Sequence, residues 1–210
     1  MPEVIIYKVK NNLRLSMTLA VFKTIGMTKV FMNSDTQFLE KLRREIVPGK
    51  LEWIGLRTER RGEIKVVESA QALVSLGLEG DHRCLKTPGS ARQVTIISRE
   101  YIHQIAQQLG MDFIDPVLLR RNLVISGMNM NLLRFQRLQI GDVILETSAL
   151  CDPCSRMDES LGKGAASAMF GYGGLCAKII QGGHISVGDA VVRLLPIKSS
   201  TPNSLNLFDT

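Results

Sequence analysis

The constraint that reaches furthest in this sequence is a turn that occurs twice. Gln139-Ile140-Gly141-Asp142-Val143-Ile144-Leu145 and Ser186-Val187-Gly188-Asp189-Ala190-Val191-Val192 each pass through Gly-Asp into an apolar run. Glycine takes positive φ without steric cost and Asp bonds the turn backbone, so each segment reads as a tight turn launching a strand. More strands gather around this pair. Leu51–Leu56 and Ile64–Glu68 flank the polar turn Arg60-Arg61-Gly62-Glu63, Val94–Ile97 is a β-branched run, and Leu123–Ile125 precedes the turn Ser126-Gly127. Helical spacing is confined to a few places. It covers Thr36–Ile46, stopped by Pro48-Gly49; a segment capped by Ser98 with Tyr101, Ile102, Ile105, Ala106 and Leu109 as its apolar stripe and Gly110 as its stop; and a short start at Asp115-Pro116. Leu175–Gln181 reads as a further short helix closed by Gly182-Gly183. The sum is a mostly β fold, a barrel with helical caps.

Composition sets the outer limits. With 210 residues, 45% hydrophobic and 22% charged, and a mean hydropathy of +0.08, the chain buries a sizeable core and is not disordered as a whole. No apolar run approaches the roughly eighteen residues of a membrane-spanning helix, so no membrane partner is expected. Four cysteines are too few for a disulfide scaffold. The net charge of +6 is unevenly spread: residues 1–50 carry nine Lys/Arg against four Asp/Glu, and residues 51–210 seventeen against sixteen. A nucleic-acid-binding domain carries its basic excess on the folded body, so that partner class is not expected. The expected organisation is a basic N-terminal extension over 1–34, a domain over 35–197 and a polar tail over 198–210. The extension has a short apolar run behind Lys8, Lys10 and Arg14 but no small-residue cleavage pattern. The expected location is cytoplasmic, with a basic, acid-poor start that also suits an organelle-targeting segment.

The most reactive segment is Cys151-Asp152-Pro153-Cys154. It is open to several chemistries: a redox dithiol; half of a zinc site, with Cys84, Cys176 and His82 as distant further ligands; one cysteine acting alone as soft metal ligand or nucleophile; or plain buried thiols. Arg156 adds a cation two residues after Cys154. Arg120-Arg121-Asn122 lies at a helix-to-strand junction, where cationic side chains and freed N–H groups can meet an anion. Gly80-Asp81-His82-Arg83 is a second polar cluster. The glycine-rich stretch from Gly162 to Gly174 reads as a flexible segment, an ordinary long loop or alternatively a mobile lid over a site, and it lacks the spacing of a phosphate-binding P-loop.

Taken in order, these segments resemble the MOSC domain, the module named after the C-terminal domain of molybdenum cofactor sulfurases. The resemblance runs through Gly80-Asp81-His82, Arg92-Gln93-Val94-Thr95-Ile96-Ile97-Ser98, Arg120 to Gly127 and Leu138 to Glu146. It ends on Pro153-Cys154 and Gly183 to Asp189, covering roughly residues 50–195. It implies a β-barrel fold and a pocket for molybdenum cofactor, with Cys154 as metal thiolate or sulfur carrier. It also implies Arg120 and Asn122 as anion contacts and Ser90-Ala91-Arg92 as a turn beside the cofactor. Asp81 and His82 would lie at the pocket mouth as candidate proton donors, and Arg156 would join the cofactor-binding cations. The implied activity is reduction of N-hydroxylated compounds such as hydroxylaminopurine-type bases. Electrons would come from a partner protein, since no nicotinamide or flavin fingerprint appears. The alternative is a sulfur or cofactor carrier serving a cofactor-synthesis or sulfurase enzyme. Cys151 is an added thiol, expected here to be able to pair with Cys154 as a disulfide.

Overall fold

The computed structural model describes residues 34–195; the expected tail over 198–210, and the expected N-terminal extension apart from Ser34, lie outside them. The described part begins with α1 (Ser34–Arg44), two residues earlier than the apolar spacing predicts, and then runs into β1 (Gly49–Arg57) and β2 (Ile64–Val67). These two strands pair antiparallel across the expected Arg60–Glu63 turn. β3 (Ser69–Leu73) and β4 (Gly77–Leu78) follow, then β5 (Val94–Ser98), α2 (Arg99–Gln108), α3 (Pro116–Leu119) and β6 (Leu123–Ser126). The last part holds β7 (Arg137–Ile140), β8 (Val143–Leu150), α4 (Arg156–Leu161), α5 (Ala165–Ala168), β9 (Leu175–Gln181), β10 (Gly183–Ser186) and β11 (Ala190–Leu194).

Seven of these strands form a closed ring in the order β11-β7-β8-β9-β5-β6-β1, sealed where Gly49 and Lys50 pair with Val191 and Ala190. β2 is an eighth strand added to β1, and β10, β3 and β4 make a separate small sheet. Both copies of the Gly-Asp motif lead into strands. Gly141 (φ +52°) joins β7 to β8, and Gly188 (φ +100°) leads into β11. Asp189 takes the Ser186 N–H on its carboxylate at 2.8 Å.

Among the described residues all strand pairs but one are antiparallel. β5 and β6 are parallel, and a parallel pair needs a crossover, which α2 and α3 supply. Ser98 caps α2 through its Oγ, and Asp115 caps α3. The crossover explains why Val94–Ile97 is apolar without alternation: Val94 and Ile96 enter the barrel core, whereas Ile97 packs outward under α2 with Ile102, Ile105 and Ala106. β6 repeats the division, with Leu123 and Ile125 inside and Val124 outside. Each such fully buried side chain contributes about 1.5–3 kcal/mol.

Two expectations are corrected. Leu175–Gln181 is strand β9, not a helix: it lies between β8 and β5, with Leu175, Ala177 and Ile179 in the barrel core at period two. Neighbours on both sides override the helical preference of Ala, Lys and Gln. The stretch after Cys154 is not a long loop either. It folds into α4 and α5, whose Met157, Ala165, Ala168 and Met169 close the outer core over Val124 and Ile97. Among the described residues no helix is long and apolar enough to cross a membrane.

Candidate functional site

Cys154 is exposed, whereas the other three cysteines are buried or half-buried. It sits between the end of β8 and the start of α4, and its carbonyl accepts the Met157 N–H at 2.8 Å. Around it is a cavity of about 480 Å³ lined by Arg61, Arg120, Cys154, Ser155, Arg156, Glu159 and Ser160. That volume is within the usual range for small-molecule sites. The fold thus unites three residues picked out by the sequence, Cys154, Arg120 and Arg156, and adds Arg61 from the β1–β2 turn.

Arg120 is held for this role by its backbone. It caps α3 in the left-handed conformation (φ 56°), and its Nη1 donates to the Gly62 carbonyl at 2.7 Å. Burial first, then the guanidiniums of Arg156 and Arg57, push its pKa below the ordinary arginine value. Three guanidiniums share the cavity with one carboxylate, Glu159, so the cavity is chemically suited to an anion, which planar guanidinium forks bind in bidentate fashion.

The remaining sequence candidates form a neighbouring support. Asp81 is 2% exposed and accepts from the Arg57 N–H and Nε (both 3.0 Å), the Arg83 N–H (2.9 Å) and Asn122 Nδ2 (2.7 Å). Asn122, 1% exposed, accepts on Oδ1 from Arg57 Nη2, the Thr95 N–H and Thr95 Oγ1, and gives its second Nδ2 proton to the Gly55 carbonyl. This closed network ties β1, β5 and β6 to the turn that starts at His82, and among the described residues no buried side-chain N or O lacks a partner. Asn122 is therefore a positioning residue and not an anion contact, since its polar atoms are used inside the fold. Asp81 is likewise committed inside the fold. Burial would raise its pKa, but the Arg57 charge and the hydrogen bonds from Arg57 and Arg83 outweigh that and hold it below the ordinary carboxylate value. An ionised, buried carboxylate is not a proton donor. His82 is half-buried, with Nδ1 3.1 Å from the Arg57 carbonyl and 3.4 Å from Asp81 Oδ1.

Ser90, Ala91 and Arg92 do not line the Cys154 cavity. Arg83 holds their turn by donating to the Arg92 carbonyl (2.7 Å) and to Ser90 Oγ (2.9 Å), and Ser148 Oγ donates to the Ala91 carbonyl (2.8 Å).

The two cysteines of Cys-x-x-Cys part company. Cys151 is 8% exposed and lies at the β8–β9 juncture near Cys176, whereas Cys154 is exposed and lines the cavity. Both thiols are free, and they face different surroundings. A zinc site is not assembled. Among the described residues no three His, Cys, Asp or Glu come together, and the Cys84 thiol donates to the Leu78 carbonyl at 2.8 Å. Sequence reasoning missed Arg61, Ser155, Glu159 and Ser160, of which Arg61 is the cation. Its signal was the Arg60-Arg61-Gly62 turn, read only as polar.

Comparison with known proteins places this geometry. The MOSC domain matches residues 82–192, more than half of the chain. No curated protein matches at a significant level. Among solved structures the fold is similar to the YuaD protein from Bacillus subtilis, with a TM-score of 0.59 and 20% identity over 69% of this chain and 94% of that one. YiiM from Escherichia coli gives 0.55 and 18% over 70% and 71%, and YiiM from Geobacillus stearothermophilus 0.57 and 13% over 70% and 75%. At these identities the likeness is one of fold.

Proposed function

We propose that this chain, which belongs to the MOSC domain family, holds a molybdenum cofactor in the Cys154 cavity and uses it to reduce N-hydroxylated compounds. The observation that carries the reading is the placing of one exposed thiol in a cavity with three guanidiniums. The residues fit the group: a soft thiolate suits molybdenum, and guanidiniums suit the phosphate that the pterin carries. A single protein thiolate is also the right number of ligands if the pterin supplies the remaining sulfur. When bound, the cofactor would supply two-electron redox chemistry at its metal, fed by an electron-donor protein.

The chain's own residues would do the rest. Cys154 would fix the metal end, and Arg61, Arg120 and Arg156 the anionic end. Arg57, Asp81 and Asn122 would keep β1 and β6 in register beneath Arg120. Glu159 lines the cavity and His82 stands beside the Arg57–Asp81 pair, so these two are the candidates for local proton delivery, Asp81 being committed to Arg57. Exposure of Cys154 also favours a second reading, in which it carries a persulfide to a partner enzyme without turnover.

An assay separates the two. Protein loaded in a host that makes the cofactor is given an artificial one-electron donor and a hydroxylaminopurine-type base. Donor oxidation that depends on the base, and falls at least a hundredfold in Cys154→Ser, is expected. No base-dependent oxidation, with a cyanide-labile sulfur on Cys154 instead, supports the carrier.

A further inference from the structure

We infer that Cys151 and Cys176 form a second redox site, a dithiol that a hydroperoxide converts into a disulfide joining β8 to β9. The inference does not depend on what Cys154 binds. Its basis is the juncture of the two strands. Leu150 pairs with Leu175, the Cys151 N–H donates to the Gly174 carbonyl at 2.8 Å, and Cys176 Sγ lies 4.0 Å from the Leu150 carbonyl. The two thiols lie close enough for each to shift the other's proton affinity. Cys176 is fully buried, and Cys151, at 8% exposure, is the more accessible of the two.

Two buried cysteines are often no more than small apolar residues. What sets this pair apart is a buried cation. Arg121, 7% exposed, donates from Nε to the Gly173 carbonyl (2.8 Å), from Nη1 to the Leu119 carbonyl (3.3 Å) and from Nη2 to the Cys151 carbonyl (3.1 Å). Among the described residues no carboxylate pairs with it. Its charge acts on both the Cys151 and the Cys176 thiol and favours the thiolate form at each. The neighbouring Cys176 thiol pulls the Cys151 pKa down, burial opposes, and Arg121, Arg92 and Arg57 add to the lowering; Cys151 and burial push Cys176 up. One thiolate beside one thiol is the arrangement that peroxide chemistry needs.

The steps balance. The Cys151 thiolate attacks one peroxide oxygen and the O–O bond breaks. Cys151 becomes a sulfenic acid, and the departing alkoxide takes a proton from water to leave as an alcohol, or as water when the oxidant is hydrogen peroxide. Cys176 then attacks the sulfenic sulfur, an S–S bond forms, and one water leaves. Two thiols lose two electrons and the peroxide gains them.

The test treats the full chain with hydrogen peroxide, blocks the remaining thiols in denaturant, and maps the peptides. Wild type is expected to go from four free thiols to two, with Cys151 linked to Cys176 and the link reversed by dithiothreitol. Cys154→Ser is expected to form the same link, which fixes the assignment because Cys151 and Cys154 share a tryptic peptide. In Cys176→Ala, dimedone is expected to trap a sulfenic acid at Cys151. A Cys151–Cys154 link, a Cys151 sulfinic acid without cross-link in wild type, or unchanged thiols at Cys151 and Cys176 would overturn the proposal. The Cys154→Ser arm keeps the test decisive if Cys176→Ala does not fold.

Discussion

Asp81 and Asn122 show how one buried carboxylate and one amide can organise a site without lining it. Between them they satisfy Arg57, Thr95, the Gly55 carbonyl and the Arg83 N–H. Breaking a buried charged pair from one side costs about 3–5 kcal/mol, because the surviving charge is left uncompensated. Arg57 keeps some solvent contact, so Asp81→Asn is expected to lower stability by about 3 kcal/mol in urea unfolding. The pH dependence has a definite sign. The folded pKa of Asp81 lies below its unfolded value. Its stabilising contribution is therefore complete above the ordinary carboxylate range and is lost as pH falls through the depressed folded value. Asp81→Asn should remove that part of the acid destabilisation, and an unchanged acid slope would contradict it. Both residues were legible in the sequence as members of a motif. Their burial was not, since a polar residue beside a strand reads the same whether it faces a ligand or the interior. The same limit applies to Arg61, whose position depends on how the β1–β2 turn folds back beside Arg120.

At the scale of elements, strands with turn chemistry were readable and strands without it were not. The Gly-Asp turns, the Ser98 cap and the Asp115-Pro116 start all announced their elements because the chemistry is local. β9 did not, because Leu-Cys-Ala-Lys-Ile-Ile-Gln carries no turn signal and its identity comes from β5 and β8. Gly174 is the point where this element is fixed. It has φ +88°, and a Cβ there would collide with the Ile96 carbonyl. Gly174→Ala should therefore destabilise the protein by about 2–4 kcal/mol, in the range of strained or overpacked core positions. A thermal midpoint within a degree of wild type would show that β9 does not need this approach. Ile179→Ala, which leaves a void inside the barrel, should cost a similar 2–5 kcal/mol.

For the whole molecule, the barrel closes between chain segments far apart in sequence, Gly49–Lys50 and Ala190–Val191. Val191 is fully buried at that seam, and Val191→Asp places an unpaired charge in the core. Loss of cooperative unfolding is expected, and a folded variant by circular dichroism with a normal urea midpoint would deny the seam its role. The mostly β architecture with helical caps was readable from turns and periodicity, and the resemblance to MOSC domains carried the order of segments. The allotment of the two Cys-x-x-Cys thiols to different sites was not, because Cys176 reaches Cys151 only through strand pairing.

The measurement that tests the central claim most directly is molybdenum and pterin content per chain after anaerobic purification from a cofactor-producing host. It compares wild type, Cys154→Ser, Cys151→Ser and the pair Arg61→Glu with Arg156→Glu. The account predicts about one molybdenum and one pterin per chain in wild type and in Cys151→Ser. It predicts loss of both with the doubled charge reversal, and loss of at least the metal in Cys154→Ser, which keeps its fold. Full loading of Cys154→Ser, or equal loss in the two cysteine variants, would contradict it.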